Sequence, residues 1–145
     1  MGFRFSLASV LLVRANAKKR EELALQTIQL EIARFSRQIK DLDADAASIN
    51  NAQELALRHP IPAAHLHSFR HRLESILEAR KALLQRIQTM EVERGRQMKV
   101  YQEAYRDHET IIGMFNDHRD AYEQERDRSE QKTLDDIFAA RIQRS

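Results

Sequence analysis

The chain has 145 residues, of which 32% are charged and only 6% aromatic, with 3 Gly, 2 Pro, no Trp and no Cys. This composition argues against sheets and tight turns and favours long helices. The lack of Cys excludes disulfides, a thiol nucleophile and a thiolate metal site in this chain. The 24 basic and 22 acidic residues leave a net charge of +2 and are interleaved, which is typical of a solvated helix surface. We therefore expect no nucleic-acid partner.

The amino-terminal region carries a short apolar run at residues 7–13. Ser9 interrupts this run, Arg14 ends it, and it is much shorter than the roughly 20 apolar residues that a membrane-spanning helix needs. We interpret it as the start of a cytosolic helix rather than as a secretory signal, with an apolar stripe that begins at Phe3 and Phe5 and continues through Leu7 and Leu11.

A heptad repeat dominates the first half of the chain. Apolar residues recur at alternating steps of three and four from Leu25 to Ile49, as Leu25, Ile28, Ile32, Phe35, Ile39, Leu42, Ala46 and Ile49. A seam that repeats every 3.5 residues predicts a helix that supercoils against a partner helix.

Two prolines interrupt this repeat. Pro60 cannot continue a helix, so the first helix is expected to end near residue 58, whereas Pro62 suits the opening of a second helix. A second seam then runs from Leu66 through Leu73, Ile76 and Leu83 towards Tyr122, and no further proline follows. The second helix is therefore expected to cover most of the remaining chain.

The predicted fold is all-α: two long helices in an antiparallel coiled-coil hairpin, the second longer and ending in a carboxyl-terminal overhang. We expect one domain over residues 1–145, with helices at about 5–58 and 63–142 and a turn at 59–62. A short connection makes neighbouring helices antiparallel. The alternative is a scaffold in which two chains pair in parallel along their length.

A wider apolar face is predicted on the second helix. Leu77 and Leu84 lie one heptad apart, just outside the seam and close to Ile76, Ala79 and Leu83. Either this face receives another protein, or the two leucines pack sideways against the first helix.

Sites for small-molecule chemistry are not evident. His65, His67 and His71 cluster after the turn, but there is no fourth ligand and no zinc-protease motif. We find no phosphate-binding glycine loop and no nucleophile motif. We expect no catalytic residues, no metal, no cofactor and no enzymatic activity.

The two ends of the chain resemble one known family. Residues 3–11 read FRFSLASVL, and residues 126–141 read RDRSEQKTLDDIFAAR. An F-x-F-x-L-x-x-[VL]-L opening and an E-Q-K-x-[LM]-D-[DE] segment with a basic end are similar to those of the FliJ family of flagellar export proteins. The same features more distantly resemble YscO-type injectisome stalk proteins, which remain the alternative.

This resemblance implies a function in protein export. The chain would be a stalk that binds a hexameric export ATPase, promotes its assembly, and links it to the membrane export gate and to export chaperones. The residues expected at the ATPase are Phe3, Phe5, Arg126, Arg128, Gln131, Lys132, Leu134 and Asp135. The gate is expected to contact Ile76, Leu77, Ala79, Leu83 and Leu84. The resemblance also implies a cytoplasmic protein that associates with the inner membrane only through its partners.

Overall fold

The computed structural model describes residues 2–144. These residues form two helices, α1 (Ala8–Ala56) and α2 (Ala63–Arg144), and no strand. Helix α2 has 82 residues against 49 for α1, so its carboxyl-terminal part extends past the residues that α1 can pair with. The predicted all-α hairpin with a longer second helix is confirmed.

Helix α1 begins at Ala8 rather than near residue 5. The Ala8 amide donates a hydrogen bond to the Phe5 carbonyl across a turn, and residues 2–5 are not helical. Phe3 and Phe5 both pack on the ring of Phe115. Residues two apart share a side in extended chain but not in a helix, so this packing requires a non-helical start. Of the apolar stripe expected from Phe3 to Leu11, Phe3 and Phe5 therefore lie before α1, whereas Leu11 lies in it.

The connection between the helices is set by its prolines. Helix α1 ends at Ala56. Two hydrogen bonds of the i→i−3 type follow, in which the Arg58 amide donates to the Leu55 carbonyl and the His59 amide to the Ala56 carbonyl, each at 3.3 Å. Helix α2 starts directly after Pro62, whose fixed φ suits a helix start. The first helix is thus two residues shorter at this end than the pattern predicted.

The chain divides into two units by its internal contacts. We call Glu22–Val100 the turn unit, and Met1–Glu21 together with Tyr101–Ser145 the terminal unit.

In the turn unit the predicted seam is confirmed. Leu25, Phe35, Ile39 and Ile49 are buried, and the other four predicted seam residues of α1 are half-buried. Across the helices, Arg80 Nε lies 3.0 Å from Asp43 Oδ1, and the Arg86 guanidinium lies 5.9 Å from the Phe35 ring centre. Partner numbers rise on α2 as they fall on α1, so the helices are antiparallel here.

The terminal unit contains a second antiparallel stretch. Arg14 Nη1 lies 3.2 Å from Asp107 Oδ2, and Lys18 Nζ lies 4.7 Å from the Tyr105 ring centre. Phe5, at 8% exposure, is the buried apolar side chain of this unit among the described residues. Polar and cationic groups therefore replace much of the apolar seam that the turn unit has.

Candidate protein-binding surfaces

The overhang, which we define as residues 123–144 of α2, is solvent-exposed throughout. Every side chain in it is exposed, whereas the preceding Tyr122 is still half-buried against the amino-terminal segment. A helical segment of this length that packs on nothing is stabilised by side-chain pairs within it and by its continuity with the rest of α2. It therefore presents an exposed helical surface to another protein.

An aromatic cluster fixes the amino terminus beside the start of the overhang. The Phe3 ring centre lies 5.5 Å from that of Phe115 and 5.6 Å from that of Tyr122, and the Phe5 ring centre lies 5.4 Å from those of Phe115 and His118. These edge-to-face and tilted contacts are favourable aromatic geometries. The two phenylalanines predicted to contact the ATPase thus pack within the chain, and Phe5 in particular presents almost no surface to a partner.

Four of the predicted contact residues form a polar stripe along the overhang. Arg128, Gln131, Lys132 and Asp135 follow the spacing i, i+3, i+4, i+7, which places them on one side of a helix. Gln131 Nε2 donates a hydrogen bond to Asp135 Oδ1 at 3.0 Å. Arg126 lies on another side, with its Nε 4.0 Å from Glu130 Oε1. The structure therefore brings four of these residues together and separates the fifth.

Next to the polar stripe runs an apolar stripe that the sequence analysis largely missed. Leu134 is 61% exposed, Ile137 48%, Phe138 66% and Ile142 59%. Only Leu134 was among the predicted contacts. The sequence signal for this stripe is the spacing i, i+3, i+4, i+8 of its four apolar residues, which the charged closing motif does not include beyond Leu134.

The turn unit carries the second predicted surface. Leu77 is 64% exposed and Leu84 41%, and because they lie one heptad apart they point to the same side of α2. Leu77 therefore does not pack sideways against α1. Exposed leucines in this arrangement offer an apolar ridge to a partner.

The other residues predicted for this surface do not join the ridge. Ile76 and Leu83 are half-buried seam residues. Ala79 lies two residues from Leu77, which on a helix directs it to the opposite flank of the seam. It borders a shallow depression with Gln38 and Leu42 of α1. The five residues therefore form two flanks and the seam between them, rather than one patch.

Residues 2–144 contain neither a metal-binding cluster nor a helix that could span a membrane. No group of His, Asp or Glu side chains in this range is arranged to hold a metal ion, so the histidines after the turn do not form such a cluster. None of the helices in this range is long and apolar enough to cross a membrane.

Comparison with known protein families identifies a match over nearly the whole chain. The family model described as "Flagellar FliJ protein" matches residues 3–145, which is nearly the whole chain. Searches of curated proteins and of solved structures find no match.

Proposed function

The chain belongs to the flagellar FliJ family, and from this premise we propose that it is a stalk of the flagellar export apparatus whose overhang binds the hexameric export ATPase. Family membership supports a role in flagellar protein export and is consistent with a protein that is not an enzyme. Binding to the ATPase promotes assembly of its ring, and the stalk links that ring to the export gate and to export chaperones. The protein acts in the cytoplasm and reaches the membrane through these partners.

The observation that carries this proposal is the exposure of the entire overhang. A helix of 82 residues whose last turns are exposed is suited to enter another protein, because its side chains are already presented without rearrangement. The polar stripe supplies positive and negative charges and one neutral amide. Such groups set register and orientation at an interface. Phe3 and Phe5 support this contact indirectly, since their packing holds the amino terminus beside the point where the overhang begins.

The ridge of Leu77 and Leu84 is our candidate contact for the export gate. Two leucines spaced one heptad apart can anchor a helix face in an apolar groove. Ile76 and Leu83 lie beneath the ridge and contribute chiefly by holding α2 against α1. Ala79 lies on the other flank and would touch only a partner that straddles the helix pair.

The test is a pull-down and an ATPase assay with the export ATPase of the same organism. The intact chain should bind the enzyme and stimulate ring assembly and ATP hydrolysis, and truncation after Glu125 should abolish both effects. If the intact, folded chain neither binds nor stimulates the enzyme, the stalk proposal is wrong.

A matched pair of substitutions locates the contact on the overhang. Asp135 lies in the polar stripe, whereas Glu130 is not three or four residues from any member of the stripe and points to a different side of the helix. We expect Asp135→Arg to weaken binding at least tenfold and Glu130→Arg to change it less than twofold. Equal effects of the two substitutions would argue against a contact through this stripe.

The gate contact has its own matched pair. Leu77→Asp should abolish capture of the chain by the cytoplasmic part of the gate. Leu30→Asp should leave capture unchanged, because Leu30 is an equally exposed leucine (69%) on α1 of the same unit. Retained capture by Leu77→Asp would exclude the ridge as the contact.

A further inference from the structure

We propose that the turn tip, which we define as residues 55–73, binds the surface of a membrane that contains anionic lipids, and that it binds more tightly below neutral pH. The turn tip belongs to the turn unit and includes neither the overhang nor the ridge of Leu77 and Leu84. This contact adds to the association through partners proposed above and does not depend on it. The charge, the exposure and the size of the turn tip carry the inference.

The turn tip carries positive charge without any acidic residue. Residues 55–73 contain three Arg and four of the six His of the chain, and no Asp or Glu. All seven side chains are exposed: Arg58, His59, His65, His67, Arg70, His71 and Arg72. Residues 1–20 also lack acidic residues, but there Arg14 pairs with Asp107 of α2. The turn tip differs because the segments on both sides of the turn are free of acids.

Few carboxylates border the turn tip. Glu54 precedes it on α1, and the register set by Arg80 and Asp43 places Glu54 across from the first two turns of α2. On α2, Glu74 follows the turn tip, and its Oε1 lies 3.4 Å from Arg70 Nε. Four basic groups near the turn form no ion pair within residues 2–144, namely Arg58, His59, His65 and His67. Their charge is therefore available to a ligand.

The basic groups surround the end of the hairpin rather than line one side of it. On α2, His67 and His71 are four residues apart and share one side of the helix. His65 and Arg72 are seven residues apart and share another side, and Arg58 lies in the turn itself. A surface that meets the turn tip end-on therefore faces positive groups on several sides, which suits a flat and evenly charged partner.

Two exposed leucines lie at the same end of the hairpin. Leu55 is 58% exposed and Leu57 56%, on either side of Ala56 at the end of α1. Exposed apolar side chains beside basic groups are typical of proteins that bind at a membrane interface. Anionic headgroups attract the basic groups over a screening length of about 8–10 Å, while the apolar side chains enter the headgroup layer.

The size of the turn tip favours a lipid surface over a protein partner. A stable protein interface buries about 800 Å² on each partner. The end of two helices that are each about 10–12 Å across offers much less. A lipid surface needs no such area, because its headgroups rearrange around the charges and need no complementary shape.

Histidine makes this attraction depend on pH. Arg70 and Arg72 lie roughly 10–14 Å along α2 from its start, which is about one screening length or more from the turn. Three histidines lie closer to the turn, namely His59, His65 and His67. Histidine side chains gain positive charge as the pH falls from about 8 to about 5. We therefore expect weak binding at pH 8 and at least fivefold tighter binding at pH 6.

Vesicle sedimentation with the full chain tests the proposal. Vesicles of equal parts phosphatidylcholine and phosphatidylglycerol should sediment the chain at pH 6, and vesicles of phosphatidylcholine alone should not. The triple variant should bind at pH 6 no more tightly than the natural chain does at pH 8; it combines His59→Gln, His65→Gln and His67→Gln.

Matched substitutions locate the contact on the turn tip. Arg58→Gln should weaken binding at pH 6 at least threefold, whereas Arg37→Gln, at an exposed arginine on α1 of the same unit, should leave it unchanged. Leu57→Gln should likewise weaken binding, and Leu30→Gln, at a leucine that is 69% exposed, should not. Circular dichroism should report equal helix content for all variants, so that lost binding is not lost folding.

Three outcomes would overturn the proposal. The first is a chain that does not sediment with the anionic vesicles at pH 6. The second is equal sedimentation with both kinds of vesicle, and the third is equal binding by Arg58→Gln and Arg37→Gln. Capture by immobilised polyglutamate without any binding to vesicles would assign the turn tip to an acidic protein instead.

The inference and the proposed function can fail separately. Variants of the turn tip should bind the export ATPase as the natural chain does, because residues 55–73 lie outside the overhang. A chain that binds anionic vesicles as proposed but does not bind the ATPase would support this inference and contradict the stalk proposal.

Discussion

Replacing Phe5 with Ala should destabilise the terminal unit, although Phe5 was first predicted to be a partner contact. Its ring is 8% exposed and lies 5.4 Å from the ring centres of Phe115 and His118. Removing it leaves a void beside both rings and releases the non-helical segment that precedes α1.

The expected loss can be worked from the burial of the ring. An aromatic side chain buries about 150–250 Å², which at about 25 cal/mol per Å² corresponds to about 4–6 kcal/mol. Phe→Ala substitutions in protein cores cost about 3–5 kcal/mol. The segment around Phe5 is not helical and can move to fill part of the void, so we expect a loss of about 2–3 kcal/mol here.

Tyrosine fluorescence during urea unfolding is a selective assay for this effect. The chain has 3 Tyr and no Trp, and Tyr101, Tyr105 and Tyr122 all belong to the terminal unit. Phe5→Leu, which keeps most of the apolar volume, should cost about 1 kcal/mol. Leu12→Ala is the matched control on α1, because Leu12 is 63% exposed and should cost less than about 0.5 kcal/mol.

A loss below about 0.5 kcal/mol for Phe5→Ala would refute the packing argument. If Phe5→Ala then also abolished binding to the export ATPase, Phe5 would be a direct contact. If the packing argument is correct, Phe5→Leu should bind the ATPase as the natural chain does.

Three further predictions concern stability. Gly95→Ala and Gly113→Ala should each stabilise the chain by about 0.5–1 kcal/mol in urea unfolding, because both lie inside α2 and an added Cβ would meet no atom within 4 Å beyond its chain neighbours and the backbone of its own helix turn. A destabilising effect would indicate a contact at these positions. Asp43→Ala should lower the free energy of unfolding by less than about 1 kcal/mol, because its ion pair with Arg80 joins side chains that are 53% and 39% exposed. A larger loss of stability would show that the pair fixes the register of the two helices. His108→Leu should stabilise the terminal unit by about 1 kcal/mol in the tyrosine assay, because the buried His108 Nδ1 has no hydrogen-bond partner among the described residues. A loss of stability would mean that the imidazole has a hydrogen-bond partner in solution.

The candidate surfaces show where sequence patterns are insufficient. The closing motif indicated the polar residues of Arg128–Asp135 but not Ile137 and Phe138, whose exposure is evident only once α2 is seen to stay exposed beyond Tyr122. For the second surface, closeness in sequence grouped Leu77 with Ala79, although the two residues lie on opposite flanks of the α2 seam. Proximity in sequence does not give proximity on a helix, because direction changes by about 100° per residue.

The sequence by itself determined the two helices, their antiparallel pairing and the excess length of the second. These features depend on local rules: a seam with a period of 3.5, prolines that end one helix and start the next, and the number of residues on each side of the turn. Only the tertiary structure decided that residues 2–5 leave the helix so that Phe3 and Phe5 can both reach Phe115. That choice depends on aromatic rings more than a hundred residues away, so no local pattern could encode it.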